Sequence, residues 1–430
     1  MKIQSVKGTR DFYPALMAVR NFIIDGWKSA SLRNGFEEYD GPIFEYLKMF
    51  QIKSGDEIVE QLFSFQDRGG RDLALRPEIT PTLARMVNQQ INSLAKPIKW
   101  FSVPRLFRAE RPQKGRLREF FQWNVDIIGV DDVLADAEVI FTTVDYLRGL
   151  GLSHRDVKVK ISSRKFLSSA LRNIGVPEAK LDSLYALLDK HAKMPPETFD
   201  QALAAEVPDS NVAGKIMQFM GATTLAEAAE TVGASPEVDG SVQELAHLMD
   251  LLDQMGVARF CDFCPSIVRG LAYYTGVVFE VHECAQELRA ICGGGRYDNL
   301  LRDFGGPSIP ATGMGMGDCV LGILLEGKGL LQRQLALHKL DFFIACVDEI
   351  YRNDAVKLTM KLRSAGRIAN FSYKATKLGK QLKQASGQNA EKCIIIGEEF
   401  KDNKLAVKDM ATGEQELVDM KEFLTRLGCN

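Results

Sequence analysis

The sequence has no apolar run of the roughly 18 to 20 residues that a bilayer-spanning helix needs, so no membrane segment is expected. Its opening, MKIQSVKGTRDFYP, lacks the apolar stretch of a secretory leader and brings in acid and proline early. Cysteine is scarce, with 8 in 430 residues, and scattered. That excludes a disulfide framework and points to reduced thiols in a cytoplasmic protein. Histidine is scarcer still, at 5, and no Ser/His/Asp set is apparent, which argues against a hydrolase built on imidazole. No G-x-x-x-x-G-K-[ST] occurs, and no G-x-G-x-x-G opens a helix after a strand, so nucleotide binding of the P-loop or Rossmann kind is unsupported. Cys261 and Cys264 have the spacing of metal ligands, but Cys284 and Cys292 are separated by seven residues, which argues against zinc; no metal-ligand set is assigned. Excess charge of one sign is missing too. The formal net charge is -2, so any contact with nucleic acid must come from a local basic face.

What is present is a soluble globular composition, 46% apolar and 26% charged. The length calls for two or three domains. From Met1 to about His154 helix and strand signals mix, with the strand-like runs KWFSVPRLF and FFQWNVDIIGV. From about Ser163 to Ala258, Ala and Leu recur at helical spacing between polar breaks, which predicts a small helical domain. Strand character returns from about Phe260 to Leu325, so the first and third regions are expected to share one sheet around a helical insertion. The boundaries this implies are 1–330, with the insertion at about 163–258, and 338–430. The last region alternates DFFIACV, a helix over Asp354 to Ala365 closed by Gly366, a short strand, a helix near Leu378 to Ala385, and KCIIIG. That order predicts a small α/β unit. Arg352, Lys357, Lys361, Arg363, Arg367, Lys374, Lys377, Lys380 and Lys383 face the single acid Asp354 there. Such a face is either a solvated helix surface or a polyanion-binding one.

Four clusters carry candidate chemistry. In the strand predicted at Phe121 to Ile128, Trp123, Val125 and Ile127 fall on one face, and Gln122, Asn124 and Asp126 on the other. The preceding loop, AERPQKGRLRE, holds Arg111, Lys114, Arg116 and Arg118. A basic hairpin beside a polar strand face suits an anionic substrate with a polar group deeper in the sheet. RPEIT (Arg76 to Thr80) places an acid and a hydroxyl on one face if extended. RGLAYYTGVVFE (Arg269 to Glu280) sets an arginine before adjacent tyrosines, and GGGRYDNLL (Gly293 to Leu301) is a glycine cluster without a nucleotide-loop pattern. GMGMGDCVLG (Gly313 to Gly322) reads as a glycine-permissive strand entering a helix at about Asp318.

Taken together, KGTRDFYP, the segment around Gly41 and Pro42, LRPEIT, FRAERPQKGRLREFFQ, RGLAYYTGVVFE and GGGRYDNLL resemble, in order, the motifs of class II aminoacyl-tRNA synthetases. The last two make the chain similar to the histidyl-tRNA synthetase family. The resemblance implies an α+β fold: an antiparallel-sheet catalytic domain flanked by helices, a helical insertion, and a C-terminal α/β anticodon-binding domain. It implies activation of histidine with ATP and transfer to tRNA, in a cytoplasmic homodimer joined near Pro42, with Mg2+ accompanying ATP. By resemblance Arg108 and Arg269 clamp the α-phosphate and the substrate carboxylate. Glu110, Arg116 and Phe120 serve ATP as well. Glu78, Thr80, Gln122, Asp126, Tyr273, Tyr274 and Tyr297 meet histidine. Two positions depart from the family pattern: Ala272 stands where an acid is frequent, and Val320 where the third motif carries an arginine. The lost arginine keeps a second reading open, a catalytically inactive synthetase-like regulatory or tRNA-sensing protein.

Overall fold

The computed structural model describes residues 3–52, 61–191, 194–268, 274–331, 340–374 and 376–428. The chain forms two compact units, Met1–Leu331 and Gln332–Asn430. Strands of the first unit are β1 (Glu37–Glu38), β2 (Phe44–Tyr46), β3 (Ser64–Gln66), β4 (Asp72–Leu75), β5 (Ile98–Ser102) and β6 (Arg105–Phe107). They continue with β7 (Glu119–Ile128), β8 (Val157–Ser163), β9 (Cys261–Phe263), β10 (Val277–Glu283), β11 (Cys292–Arg296) and β12 (Ala311–Gly317). A three-stranded antiparallel sheet, β2-β4-β3, stands apart. The others make a nine-stranded sheet in the order β1-β5-β7-β12-β11-β10-β8-β9, with β6 paired to β7. Its pairs are antiparallel except β1 with β5 and β8 with β9.

The helices are α1 (Pro14–Arg33), α2 (Leu47–Gln51), α3 (Thr80–Gln90) and α4 (Val133–Gly149), then α5 (Arg164–Ile174), α6 (Leu181–Leu188), α7 (Pro196–Glu206), α8 (Ser210–Gly221), α9 (Leu225–Val232) and α10 (Pro236–Gln254). After β11 come α11 (Leu300–Asp303) and α12 (Asp318–Gly327). The run α5 to α10 lies between β8 and β9, which pair side by side in parallel, so the chain leaves the sheet edge and returns to it.

β7 organises the unit because its two faces do different work. Trp123, Val125 and Ile127 enter the larger apolar core, where Trp27 of α1 and Val144 and Tyr146 of α4 meet them. Trp123 is fully buried, and its Nε1 donates to Ser31 Oγ at 2.8 Å, so the one polar atom of the indole is satisfied. Helix α4 begins where Asp132 caps it, its carboxylate accepting from the Leu134 amide at 2.7 Å, a contact worth about 1 kcal/mol. The opposite face of β7, with Gln122, Asn124 and Asp126, turns toward a polar cavity.

Three local expectations needed revision. KWFSVPRLF is broken between Ser102 and Arg105, because Pro104 has no amide to give to a ladder. RPEIT is not extended: Thr80 is the first residue of α3, followed by Pro81 at a position where a missing amide costs nothing. In RGLAYYTGVVFE, Tyr274 to Gly276 precede the strand, which runs from Val277, and Arg269 to Tyr273 lie outside the described residues.

The second unit holds β13 (Leu340–Cys346), β14 (Ala369–Phe371), β15 (Ala390–Ile396), β16 (Lys404–Asp409) and β17 (Gln415–Asp419), with α13 (Arg352–Ser364), α14 (Leu378–Gly387) and α15 (Met420–Arg426). Its sheet runs β14-β13-β15-β16-β17, parallel around β13 and antiparallel from β15 onward. Alternate residues of β13 feed two cores: Phe342 and Ile344 pack with Leu358 of α13, and Phe343 and Ala345 with Ala385 of α14. A strand covered on both faces has to be continuously apolar, as DFFIACV is.

Candidate active site

Two cavities meet over the centre of the nine-stranded sheet. The smaller, about 90 Å3, is lined by Glu78, Thr80, Arg108, Gln122, Asn124, Asp126, Tyr274, Gly293, Tyr297, Gly313, Met314 and Gly315. The larger, about 230 Å3, is lined among others by Arg108, Glu110, Gly115, Arg116, Phe120, Gln122, Glu280, Gly293, Gly315, Cys319 and Val320. Arg108, Gln122, Gly293 and Gly315 belong to both walls. Glu78, Thr80, Gln122, Asp126, Tyr274 and Tyr297 therefore converge on the smaller space, and Arg108, Glu110, Arg116 and Phe120 on the larger. Arg269 and Tyr273 lie outside the described residues.

The glycines of β12 and β11 make the floor. β12 lies between β7 and β11, with Gly313 opposite Asp126 and Gly315 opposite Asn124. A methyl group on Gly313 would stand 2.1 Å from Asp126 Oδ1 and 2.7 Å from the Val125 carbonyl oxygen, and one on Gly315 2.9 Å from Gln122 Cδ. The alternating glycines thus clear the space into which the polar side chains of β7 lean. β12 then runs into α12, whose first residue, Asp318, is held on both carboxylate oxygens. Oδ1 accepts from the Phe121 amide at 3.0 Å, and Oδ2 pairs with Arg10 Nη2 at 2.7 Å.

The basic loop is a hairpin between β6 and β7. Gln113 and Arg116 exchange backbone hydrogen bonds at 2.9 Å across a tip at Lys114 and Gly115, where φ is +76°. Arg108 donates from Nε to the Pro77 carbonyl at 3.1 Å, and its guanidinium lies 5.2 Å from the centre of the Phe120 ring. Arg116 pairs with the carboxylate of the buried Glu110. Val320, in the first turn of α12, is nearly buried, and a methyl on Gly115 would reach its Cγ2 at 3.0 Å. Among the described residues, the cations lining the larger cavity are Arg108 and Arg116.

Burial sets the electrostatics of the smaller cavity. Asp126, 3% exposed, accepts from the Tyr297 hydroxyl, and desolvation drives its carboxyl up to about 7 against the pull of that hydrogen bond. Glu78 is raised by burial and drawn back by the charge of Arg108. A pocket of fixed, buried acceptors and hydroxyls suits a small polar ligand with N–H groups and a positive charge. Size alone points elsewhere: a cavity of about 790 Å3 lies beside β2 and α2, where Tyr46, Leu47, Met49, Ile52 and Phe304 mix with charged residues. Two of its cations are engaged in ion pairs, Arg85 with Glu45 and Arg71 with Asp67, both at 2.6 Å.

Sequence reasoning did not assign Asn124, although period two had placed it with Gln122 and Asp126. Glu280 and Cys319 were also missed, and only the pairing of β10 with β11 and the entry of α12 bring them to the larger cavity.

An antiparallel sheet with an arginine-bearing hairpin over adjoining polar cavities, carried with a separate α/β unit, is the arrangement that the resemblance to class II aminoacyl-tRNA synthetases implies. Residues 8–317 match the family model for histidyl-tRNA synthetase, and residues 341–430 that for the anticodon binding domain. The chain belongs to the histidyl-tRNA synthetase family. It is 37% identical over 418 residues to the chloroplastic/mitochondrial histidine–tRNA ligase of Arabidopsis thaliana, covering 97% of this chain and 85% of that protein. It is 36% identical over 426 residues to the histidine–tRNA ligase of Thermoplasma volcanium, covering 99% and 98%. Among solved structures, histidyl-tRNA synthetase from a Nostoc species superposes with a TM-score of 0.84 at 23% identity, over 100% of this chain and 99% of that one. A Bacillus halodurans protein described as an ATP phosphoribosyltransferase regulatory subunit/histidyl-tRNA synthetase gives 0.76 at 23% identity, over 91% and 97%. At such identities the likeness shows the fold alone.

Proposed function

We propose that this chain is a histidine–tRNA ligase, in which the smaller cavity takes histidine and the larger one ATP. The observation that carries the reading is the position of Arg108 in the wall common to both. An oxygen of the histidine carboxylate attacks the α-phosphorus of ATP. The bond to the β-phosphate bridging oxygen breaks, and pyrophosphate leaves with its electron pair. The carboxylate is already ionised at neutral pH, so no strong base is needed. The barrier falls through alignment and through positive charge on the phosphoryl oxygens. Arg108 and Arg269 supply that charge, as guanidinium forks rather than ammonium points. In the second step a hydroxyl of the terminal tRNA ribose attacks the histidyl carbonyl and AMP departs.

Glu78 and Thr80 receive the amino and carboxylate side of histidine, with Gln122 and Asp126 on the strand beside them. Tyr273, Tyr274 and Tyr297 wall the imidazole. A competitor without the ring N–H would leave these buried groups unpaired, which is a strong basis for rejection. Glu110, Arg116 and Phe120 hold the adenine end, by charge, hydrogen bond and stacking.

The cavity carboxylates are few: Glu110 is engaged by Arg116, and Glu280 contacts His282 at 2.9 Å. Among the described residues no group of three or more His, Cys, Asp or Glu is gathered for a metal. Mg2+ accompanying ATP would be held mainly through the phosphates, and Glu280, which lines the larger cavity, is a carboxylate that could hold one of its waters. Bound there, Mg2+ would neutralise charge on the polyphosphate.

Exposed Ile43, Phe44, Tyr46 and Phe65 beside the 790 Å3 cavity supply an apolar surface for a homodimer near Pro42. Sedimentation showing a monomer at micromolar concentration would overturn that part. No helix among the described residues is long and apolar enough to cross a membrane, and a cytoplasmic site of action suits the tRNA substrate. The enzyme reading is favoured over the regulatory one by the polar side chains of Glu78, Thr80, Gln122, Asp126, Tyr274 and Tyr297 that converge on the smaller cavity. It is favoured also by relatives of 36 to 37% identity over nearly the whole chain that bear the ligase name. ATP–pyrophosphate exchange tests it: exchange should require histidine and no other amino acid. Background exchange at saturating histidine and ATP would sink the reading.

A further inference from the structure

The two described tyrosines of the smaller cavity come from different segments that share one apolar cluster, and their chain neighbours are hydrogen-bonded to each other. Thr275, which follows Tyr274, donates its hydroxyl to Asp298 Oδ2 at 2.6 Å and accepts from the Asp298 amide at 3.1 Å. The Thr275 amide donates to the Arg296 carbonyl at 2.8 Å. Arg296 and Asp298 flank Tyr297. Arg296 in turn reaches away from the cavity and is almost wholly buried. Its Nε and Nη2 donate to Asp136 Oδ2 of α4 at 3.0 and 2.5 Å, Nη1 to the Val130 carbonyl at 3.0 Å, and Nη2 to the Asp132 carbonyl at 2.7 Å. Gly276 gives it passage, since a methyl there would stand 2.9 Å from Arg296 Cδ. The segment after Tyr274 and the segment around Tyr297 are thereby fastened to each other and to the start of α4, behind the cavity floor.

Building on the histidine reading of the smaller cavity, we propose that Thr275, Asp298, Arg296 and Asp136 are positioning residues that hold Tyr274 and Tyr297 in register for the imidazole. None of the four lines either of the two cavities, so their effect passes through the tyrosines. A rigid outer frame is what keeps a binding constellation within the small tolerance that recognition needs. The Arg296–Asp136 pair is too deeply buried for a clean test, because removing one partner strands the other. Thr275 and Asp298 are partly exposed and sit closest to the tyrosines.

The test is ATP–pyrophosphate exchange by the full-length protein carrying Thr275→Val, which keeps the shape and removes the hydroxyl. We expect the KM for histidine to rise about tenfold while the KM for ATP and kcat stay within about threefold, with Thr275→Ser restoring the wild-type value. Asp298→Asn should reproduce the histidine effect and serves if Thr275→Val does not fold. An unchanged KM for histidine in a folded variant overturns the proposal. So does an equal rise of both KM values with a lowered melting temperature, the mark of a merely structural contact. Wild-type protein that shows no histidine-dependent exchange would overturn the ligase reading instead, so the two failures are distinct.

Discussion

The two units use charge in opposite ways. In the first, charged and amide side chains are driven inside: Arg76, Glu110, Asn124, Asp126, Asp136, Arg296 and Asp318 are all buried. In the second, the buried polar side chains among the described residues are Thr359 and Gln381, both tied to backbone within the fold. Its lysines at 357, 361, 374, 377, 380 and 383 are exposed. Water-excluded charge is costly to build, but it is strong, directional and already organised. Exposed charge is cheap and weak per contact, and it suits a long polyanion met at many points. Chemistry on one small molecule calls for the first arrangement and holding a tRNA for the second.

The sharpest test of that contrast is to delete the shared cation. Arg108→Ala should lower histidine-dependent exchange by about 1000-fold, roughly 4 kcal/mol of transition-state stabilisation, while tRNA affinity by filter binding stays within about twofold. Arg269→Ala should behave alike. Equal loss of exchange and tRNA binding in either variant would mean the units do not divide the work in this way.

The floor comes next. Gly313→Ala puts a methyl against Asp126 and the Val125 carbonyl, neither of which can retreat from the middle of a paired sheet. We expect kcat/KM for histidine to fall about 100-fold, with a stability loss of about 1–3 kcal/mol in thermal melts. Gly322→Ala, on α12 with nothing within 4 Å of the added methyl, should leave kcat/KM unchanged and, if anything, raise stability by about 0.5–1 kcal/mol through helix propensity. The second unit gives the converse: the double substitution Lys377→Glu with Lys380→Glu should raise the KM for tRNA about tenfold and flatten its salt dependence. ATP–pyrophosphate exchange should stay at the wild-type level.

How much of this was legible beforehand depended on whether a signal was local. The period-two face of Gln122, Asn124 and Asp126, the hairpin of arginines and the glycine strand entering α12 all show in short windows, and each appears in the structure. The polar face itself was ambiguous, since alternation cannot tell a solvated sheet from a cavity wall. Long-range partners were beyond reach. Tyr297 meets Asp126, Arg10 meets Asp318, and Arg296 meets Asp136 across gaps that no periodicity spans. The roles of Tyr274 and Tyr297 came from family resemblance alone, because tyrosines near strands usually only pack.

The smallest expected effect concerns pH, and it separates the buried carboxylate from the exposed charges most finely. Asp126 has its carboxyl pushed to about 7 by burial, from an ordinary value of 3.8. As pH falls through 7 it takes up a proton and loses the negative charge that, on the proposed reading, draws the ammonium group of histidine. The KM for histidine should then rise, by up to about fivefold between pH 7 and 6. Histidine itself titrates with a pKa of about 6.5, so the control is Asp126→Asn, which should have a higher KM and lack the Asp126 part of the slope. Stability of the unliganded protein should move the other way. A folded pKa above the unfolded one means folding takes up a proton, so this group stabilises the fold fully below about pH 4 and loses that contribution as pH rises through 7. Acidification from pH 8 to 6 should therefore weaken histidine binding while this carboxyl makes the unliganded fold more stable. A smaller gain in melting temperature for Asp126→Asn than for wild type would show it. Identical pH dependence of the two proteins, in both KM and melting temperature, would mean that Asp126 is ionised throughout and that its burial is better compensated than the Tyr297 contact indicates.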